Sequence, residues 1–200
     1  MTKLKKLIKA SLLLILLTAN IFAASSLTLS WIDNSNNETG FKIERRVQGG
    51  NFAKLIDVGS NVTSFTDETL TPGRVYLYRV QAFNGMGFSG YTNTVSKTAP
   101  NTAPKIGFLG PRTIPKNTNS GRIPLVISDA ESSIDQLNIV VTSNNAILAP
   151  IQRIIVSRTP EGIFMVVTPV YNQSGVAEIT VRVSDGLLSW SSRFNLTVRE

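Results

Sequence analysis

The 200-residue chain contains no cysteine and no histidine. Without histidine, the Ser–His–Asp and Cys–His nucleophile systems cannot form, and imidazole ligands for metals are missing. Without cysteine, thiolate nucleophiles, thiolate metal sites and disulfides are excluded, so the burial of apolar side chains must hold each folded module together. The two absences together argue against most hydrolytic and metalloenzyme chemistry.

Other catalytic signatures are also missing. The glycines fall in turns rather than between a strand and a helix, where a phosphate-binding loop would place them. Paired carboxylates, as in glycosidases, are the one common hydrolytic apparatus that needs neither histidine nor cysteine. Most acidic residues lie in turns or at outward strand positions, such as Glu44 and Glu178, where a solvated role is the default. The sequence therefore predicts a protein that is not an enzyme, with no catalytic residue and no cofactor.

The N-terminus has the three parts of a secretory signal peptide. Four lysines stand among the first nine residues, residues 10–22 are almost wholly apolar, and small residues follow. A membrane-spanning helix needs about 20 apolar residues, and this run is shorter and is interrupted by polar residues. We therefore expect residues 1–24 to be a helical leader, cleaved after Ala23 or Ala24, and the protein to be secreted, extracellular or at the cell surface. An uncleaved leader would be its only contact with a membrane.

The net positive charge is small once the leader is set aside. The formal net charge of the whole chain is +7, and the four leader lysines carry four of these charges, so the rest of the chain has a net charge of +3. The remaining basic and acidic residues are interspersed, and Arg and Lys do not alternate with aromatic residues along a stripe. We therefore expect no nucleic-acid partner.

Short β-prone runs recur after the leader, separated by clusters of Gly, Pro, Asn, Asp and Ser, a spacing typical of sandwiches and barrels. The stretch KTAPNTAPK divides the chain into two halves, each of a length at which one sandwich core can stand alone. The sequence predicts an all-β protein with two tandem immunoglobulin-like β-sandwiches after a signal-peptide helix. We expect the first sandwich at 25–98, a linker at 99–104 and the second sandwich at 105–200.

In the first half, alternating apolar residues predict buried strand faces. Three such faces are Leu27, Leu29 and Trp31; Phe41, Ile43 and Val47; and Tyr76, Tyr78, Val80 and Ala82.

The stretches LSWIDNSNNETGFKIERR and SFTDETLTPGRVYLYRVQAFNGMGFSGYTNTV resemble a fibronectin type III domain. Trp31 stands where that family has a buried Trp on its second strand. The resemblance also implies a tyrosine corner, in which a Tyr hydroxyl bonds to nearby backbone, at Leu70, Pro72, Gly73 and Tyr76. The family has a further strand before Leu27, where the mature chain has almost no residues, so we expect an exposed sheet edge or a partner that supplies the missing strand.

The second half shows the same alternation of apolar and polar residues. The predicted inward faces are Ile123, Leu125 and Ile127; Leu137, Ile139 and Val141; Ala177, Ile179, Val181 and Val183; and Phe194, Leu196 and Val198. Residues 101–198 resemble the bacterial immunoglobulin-like or cadherin-like repeats of surface and adhesin proteins, through VISDAESS, LNIVVTSNNAILAP and EITVRVSDGLLSWSSRFNLTV. The resemblance implies a second β-sandwich.

Calcium is the one ion with a candidate site. Asp129 and Glu131 stand one residue apart, and Asp185 lies in another turn. Cadherins bind calcium through acidic loops at module junctions, but three scattered carboxylates fall short of the six to eight oxygens that calcium takes. The alternative, which we favour, is that the aspartates cap their own turns.

Three large side chains are candidate partner contacts. The family topology places the loops 33–39 and 84–90 at the same end of the first sandwich, and the second of them carries Met86 and Phe88. In the second half, Trp190 follows the Asp185 turn and offers a flat ring to a sugar. The alternative is that these aromatic residues cover the ends of their own cores.

We therefore expect a non-catalytic binding or spacer protein that serves in adhesion or contact with the extracellular matrix. An accessory, carbohydrate-associated role in an extracellular polysaccharide-degrading system is the alternative, so the ligand is a protein or a glycan. A third possibility is a subunit whose missing edge strand is completed by a partner.

Overall fold

A computed structural model of the chain describes residues 25–200, and the predicted leader and its cleavage site lie outside these residues. The chain divides into two compact units, the first ending at Asn101 and the second running Thr102–Glu200. The stretch expected as a linker is divided between the two units. Ala99 is buried in the core of the first, and the Thr102 backbone N–H and hydroxyl both donate to Glu131 in the second.

From residue 25 onward, the first unit contains seven strands. They are β1 (Leu27–Ser30), β2 (Gly40–Val47), β3 (Ala53–Gly59), β4 (Ser64–Asp67), β5 (Val75–Asn84), β6 (Gly87–Phe88) and β7 (Val95–Thr98). One sheet is the antiparallel pair β1–β4, and the other has the order β3-β2-β5-β6, with β7 also pairing β5. Within residues 25–200, β1 has β4 as its single neighbour, so its other edge is open there.

The core of the first unit lies between these two sheets. The side chains that the alternation predicted to point inward are buried: Leu27, Leu29, Trp31, Phe41, Ile43, Tyr76, Tyr78, Val80 and Ala82. Trp31 lies 5.6 Å, centroid to centroid, from the Phe41 ring. The predicted inward faces of this unit are therefore confirmed except at Val47, which is exposed at the end of β2.

The tyrosine corner forms between β4 and β5. The Tyr76 hydroxyl accepts a hydrogen bond from the backbone N–H of Thr71 at 2.9 Å, so the side chain fixes the chain where it crosses from one sheet to the other. Gly73 takes the left-handed conformation that the turn requires, with φ +73°, and its N–H donates to the Ala99 carbonyl. This element of the fibronectin type III resemblance is confirmed.

A buried carboxylate links the two sheets of the first unit. Asp67 on β4 is 1% exposed, and its Oδ2 accepts from Arg45 Nη1 at 2.6 Å and from the Tyr78 hydroxyl at 2.8 Å. Its Oδ1 accepts from the backbone N–H and the hydroxyl of Thr69. Burial raises the pKa of Asp67, but these hydrogen bonds outweigh it and the pKa is lowered. The pKa of Tyr78 is raised by burial and by the neighbouring carboxylate.

The second unit contains nine strands. They are β8 (Lys105–Ile106), β9 (Arg112–Pro115), β10 (Ile123–Pro124), β11 (Ile127–Ser128), β12 (Asn138–Ser143), β13 (Ile154–Thr159), β14 (Gly162–Val167), β15 (Gly175–Ser184) and β16 (Ser189–Arg199). Two short 3-10 turns, Ile134–Gln136 and Ile151–Arg153, interrupt them. The sheets have the orders β12-β15-β16-β9, β10-β14-β13 and β11-β8. β9 runs parallel to β16, while every other pairing between these strands is antiparallel.

A single hydrophobic core joins the sheets of the second unit. The inward faces predicted on β15 and β16 are buried along their whole length, and Ile139 is the one predicted inward residue that is only partly buried. For residues 25–200, the prediction of an all-β fold built from immunoglobulin-like sandwiches is confirmed.

Candidate functional site

The outer face of the larger sheet of the first unit carries an ordered cluster of aromatic and charged side chains. We call it the aromatic–arginine face; its members are Lys42, Glu44, Arg46, Phe52, Arg79, Phe88 and Tyr91. Lys42, Glu44 and Arg46 alternate with core residues on β2, so the pleat of the strand sets them on its outer side. Glu44 lies directly opposite Arg79 in the β2–β5 register.

Glu44 is the centre of this face. Its Oε2 accepts from Arg79 Nε at 2.9 Å and Nη2 at 2.6 Å, and its Oε1 accepts from the Tyr91 hydroxyl at 2.9 Å. Lys42 Nζ lies 3.0 Å from the same Oε1. The neighbouring side chains cover Glu44 so well that it is 7% exposed. Burial raises its pKa, yet the hydrogen bonds from Arg79, Lys42 and Tyr91 outweigh that effect and the pKa is lowered.

Aromatic rings fix the cations of the face. The Arg79 guanidinium carbon lies 3.8 Å from the centroid of Tyr91 and 4.1 Å from that of Phe52. Arg46 lies 5.0 Å from the Phe52 centroid, and Lys42 Nζ lies 5.3 Å from that of Phe88. Each cation–π contact stabilises by about 0.5–1 kcal/mol at an exposed site. Because Phe52 contacts both Arg46 and Arg79, and Glu44 contacts both Arg79 and Lys42, the face is a connected network.

The structure places two of the predicted contact residues at this face or beside it. Phe88 belongs to the face and is 59% exposed, with its ring 6.2 Å from that of Phe83. Met86 lies in the β5–β6 turn and is 78% exposed. At these exposures neither side chain closes the end of the core. The expected proximity of the two loops is confirmed, because Asn84 Nδ2 donates to the Asn37 carbonyl.

Trp190, the third predicted contact, lies near the β15–β16 turn of the second unit. It is opposite Val183 in the register and is 55% exposed, and the neighbouring Leu187 and Leu188 in the turn are also exposed. With more than half of its surface exposed, the Trp190 side chain does not close the end of the core.

The acidic residues considered for calcium are engaged in turns. Asp129 Oδ1 accepts from the backbone N–H groups of Glu131 and Ser132, and Asp185 Oδ1 accepts from those of Leu187 and Leu188. Among residues 25–200, no three acidic residues come together in a way that would hold a metal ion. The turn-capping interpretation accounts for both aspartates.

Sequence reasoning treated Glu44 as an ordinary outward strand position, and it did not consider Arg79, Phe52 or Tyr91 as site residues. The missing information was the strand pairing, since opposite charges meet across β2 and β5 only in the observed register. The sequence did contain a signal that could have indicated this site. Glu44 and Arg79 have opposite charges and lie at outward strand positions, and the aromatic residues Phe52 and Tyr91 lie in loops.

Residues 17–98 match the family model of the fibronectin type III domain, so the first unit is a domain of this type. The match begins inside the predicted leader. It spans less than half of the chain and ends before the second unit begins.

Among solved structures, the chain is similar to the twitchin kinase region from C. elegans, with 27% identity over 40% of this chain and 15% of that one, and a TM-score of 0.34. The chicken CNTN1 FN1-FN3 domains show 13% identity over 94% of this chain and 65% of theirs, with a TM-score of 0.39. Pectate lyase PelI from Erwinia chrysanthemi shows 14% identity over 54% of this chain and 34% of that one, with a TM-score of 0.39. The chain thus spans a small part of the twitchin region.

Proposed function

We propose that this protein is a non-catalytic binding protein of the cell exterior, and that its aromatic–arginine face docks a partner protein in adhesion or matrix contact. The observation that carries the proposal is the combination of a fixed Arg and aromatic network with the exposed Phe88 and Met86 beside it. Aromatic residues, Met and Arg are the types enriched in protein interfaces. Side chains that are already ordered also lose less conformational entropy on binding.

The charge of the face indicates the chemistry of the partner. Lys42, Arg46 and Arg79 provide three positive charges against the one carboxylate of Glu44. A partner surface with acidic side chains around an apolar centre would therefore complement it, because opposite potentials favour association.

The proposal is tested by selecting ligands for the whole chain from a random 12-residue peptide library displayed on phage. We expect selected peptides to be rich in Asp, Glu and apolar residues, and to bind more weakly at high salt. Phe88→Ser should weaken their binding by about tenfold or more, as expected for an exposed aromatic anchor. Phe108→Ser is the matched control, since Phe108 is an exposed Phe of the second unit. Selected peptides that bind Phe88→Ser and the unchanged chain equally well would contradict the proposal.

A second candidate function is the carbohydrate-associated one, and the exposed ring of Trp190 favours it. Flat aromatic faces offer apolar contact to sugar rings. Titration with soluble xylan, followed by tryptophan fluorescence, tests it: Trp190→Ser should abolish any change, while Phe88→Ser should not. A change that persists in Trp190→Ser would exclude Trp190 as the sugar contact.

The proposed location depends on the leader. Residues 25–200 contain no helix that is long and apolar enough to cross a membrane. In our proposal the fibronectin type III domain carries the docking face, and the second unit serves as a spacer that resembles bacterial immunoglobulin-like or cadherin-like repeats. Fractionation of the source cells, with N-terminal sequencing of the exported form, measures both export and cleavage; protein found only inside the cell would exclude an exterior role.

A further inference from the structure

The second unit contains a polar groove that none of the preceding functions uses. Its volume is about 350 Å³, at the lower end of the range for small-molecule sites. The groove is lined by Asn117, Thr118, Asn119, Arg153, Thr168, Pro169 and Tyr171. These residues come from the loop after β9, the 3-10 turn before β13 and the segment between β14 and β15. The groove therefore lies near the start of β15, whereas Trp190 lies opposite the end of that strand.

Hydrogen bonds fix the walls of the groove to each other and to the sheet. Asn117 Oδ1 accepts from the Asn172 backbone N–H at 2.7 Å, and Asn117 Nδ2 donates to Asn172 Oδ1 at 3.2 Å. The Thr168 N–H donates to the Arg153 carbonyl. On the loop side, the Ser120 hydroxyl accepts from the Val167 N–H at the end of β14. The groove is thus formed before any ligand arrives, which lowers the entropic cost of binding.

One positive charge stands in the groove without a carboxylate to neutralise it. Arg153 is the single ionised residue of the lining, and its Nη1 donates to the Pro169 carbonyl at 3.1 Å. Within residues 25–200, Arg153 forms no ion pair, although eight other basic side chains do. A guanidinium that keeps N–H donors available recognises planar carboxylates through charge-assisted hydrogen bonds.

The other lining groups suit a polyhydroxylated ring. Tyr171 is 68% exposed, so its ring offers a flat apolar surface. Asn119 uses Oδ1 to accept from the Gly121 N–H, which leaves its amide N–H groups to donate. The Thr168 hydroxyl can both donate and accept. An aromatic ring, an amide and a hydroxyl beside one arginine match a sugar ring that carries a carboxylate.

We propose that this groove binds an anionic saccharide, with Arg153 contacting the carboxylate of a uronic acid unit and Tyr171 supporting its pyranose ring. The site is independent of the aromatic–arginine face, which belongs to the other unit. It would give the chain contact with acidic polysaccharide as well as with a partner protein.

The test is a titration of the full chain with trigalacturonic acid, followed by calorimetry and by the amide and arginine Nε signals in NMR spectra. The trimethyl ester of the same sugar is the neutral probe, and sodium acetate is the probe for a simple carboxylate. We expect saturable binding of the acid at a Kd below about 1 mM, with shifts at Arg153 and Asn119, and binding of the ester and acetate at least about tenfold weaker.

Variants separate the groove from the rest of the surface. Arg153→Gln and Tyr171→Ala should each weaken binding of the acid by about tenfold or more, and Arg153→Lys should retain part of it because the charge stays. Arg182→Gln, which changes an exposed arginine of the same unit, should bind like the unchanged chain. Tyr171→Ala keeps the test valid if Arg153→Gln disturbs the loop. The proposal is overturned if the acid does not bind, if the ester or acetate binds equally well, or if Tyr171→Ala binds normally.

Discussion

Replacing Glu44 with Gln tests whether one carboxylate organises the aromatic–arginine face. The substitution keeps the size of the side chain but removes its charge. The single side-chain oxygen of Gln can accept either from Arg79 or from Tyr91 and Lys42, but not from both sides as the carboxylate does. On the other side, the Gln NH₂ group would face N–H or O–H donors, with which it cannot form hydrogen bonds as an acceptor. We therefore expect the first unit to lose stability, and the face to lose its order.

The size of the effect follows from the contacts. Hydrogen bonds to a charged group contribute about 1.5–3 kcal/mol, against about 1 kcal/mol for neutral ones. Arg79 and Lys42 keep about a quarter of their side-chain surface exposed, so solvent screens part of the ionic term. A net loss of about 1–2 kcal/mol remains, which corresponds to a decrease in Tm of roughly 5–10 °C for a unit of this size.

The two tryptophans allow the measurement to be made on one unit. Trp31 is buried in the first unit and Trp190 lies in the second, and the chain has no other. In a Trp190→Phe background, the fluorescence of Trp31 reports the unfolding of the first unit in urea. The pKa of Glu44 is lowered from its ordinary 4.5. The stability that its charge contributes is therefore present above about pH 4.5 and is lost as the pH falls through the lowered pKa.

Asp57→Asn is the control, because Asp57 and Lys54 form an exposed ion pair within β3, the strand next to β2. Exposed pairs contribute little, so its loss should stay below about 0.5 kcal/mol. The reasoning is refuted if Glu44→Gln costs no more than Asp57→Asn. It is equally refuted if the difference between the unchanged chain and Glu44→Gln does not shrink on acidification.

Three further predictions concern stability. Asp67→Asn should cost the first unit about 2–3 kcal/mol in urea unfolding at neutral pH, because it weakens the buried bond to Arg45; a cost below about 1 kcal/mol would show that the carboxylate is dispensable. Since the pKa of Asp67 is lowered, this cost should diminish as the pH falls below the ordinary value of 3.8. Tyr76→Phe should cost about 1–2 kcal/mol by leaving the Thr71 N–H without its acceptor, and an unchanged urea midpoint would mean that the corner is held by packing alone. Millimolar calcium should leave the Tm within about 1 °C, because Asp129 is engaged in its own turn; a larger rise that Asp129→Asn removes would establish a calcium site.

The sandwich cores could be predicted from the sequence because a strand has a side-chain period of two. The faces beginning at Tyr76 and Ala177 alternate without a break, and both are buried as predicted. The tyrosine corner was equally predictable, since its residues are close together in sequence. Val47 shows where alternation is insufficient: it was taken as an inward residue but is exposed at the end of β2, and the pairing with β3 shifts register between Ile43 and Glu44.

The candidate sites were less predictable because they depend on contacts between distant residues. Phe88 was identified as an exposed aromatic in a loop, but its place above Lys42 depends on the pairing of β5 with both β2 and β6. The groove gave no local signal, since Asn117 and Tyr171 are separated by five strands in the sequence. Such sites follow from topology, which a single sequence leaves open.

The aromatic–arginine face shows how a β-sheet can keep charged side chains ordered at its surface. Most exposed Arg and Lys side chains are mobile, and fixing one costs up to about 2 kcal/mol of rotamer entropy. Here the restriction of Arg79 is part of folding, because Glu44 and two rings hold it in the free protein. A partner that contacts this guanidinium would meet a group whose orientation is already set, and the gain in affinity would come from preorganisation rather than from additional contacts. Tyr91→Leu separates these contributions: it keeps apolar bulk beside Arg79 but removes the ring and the hydroxyl. It should therefore weaken peptide binding even though Phe88 remains, and unchanged binding would mean that the order of the face has no part in recognition.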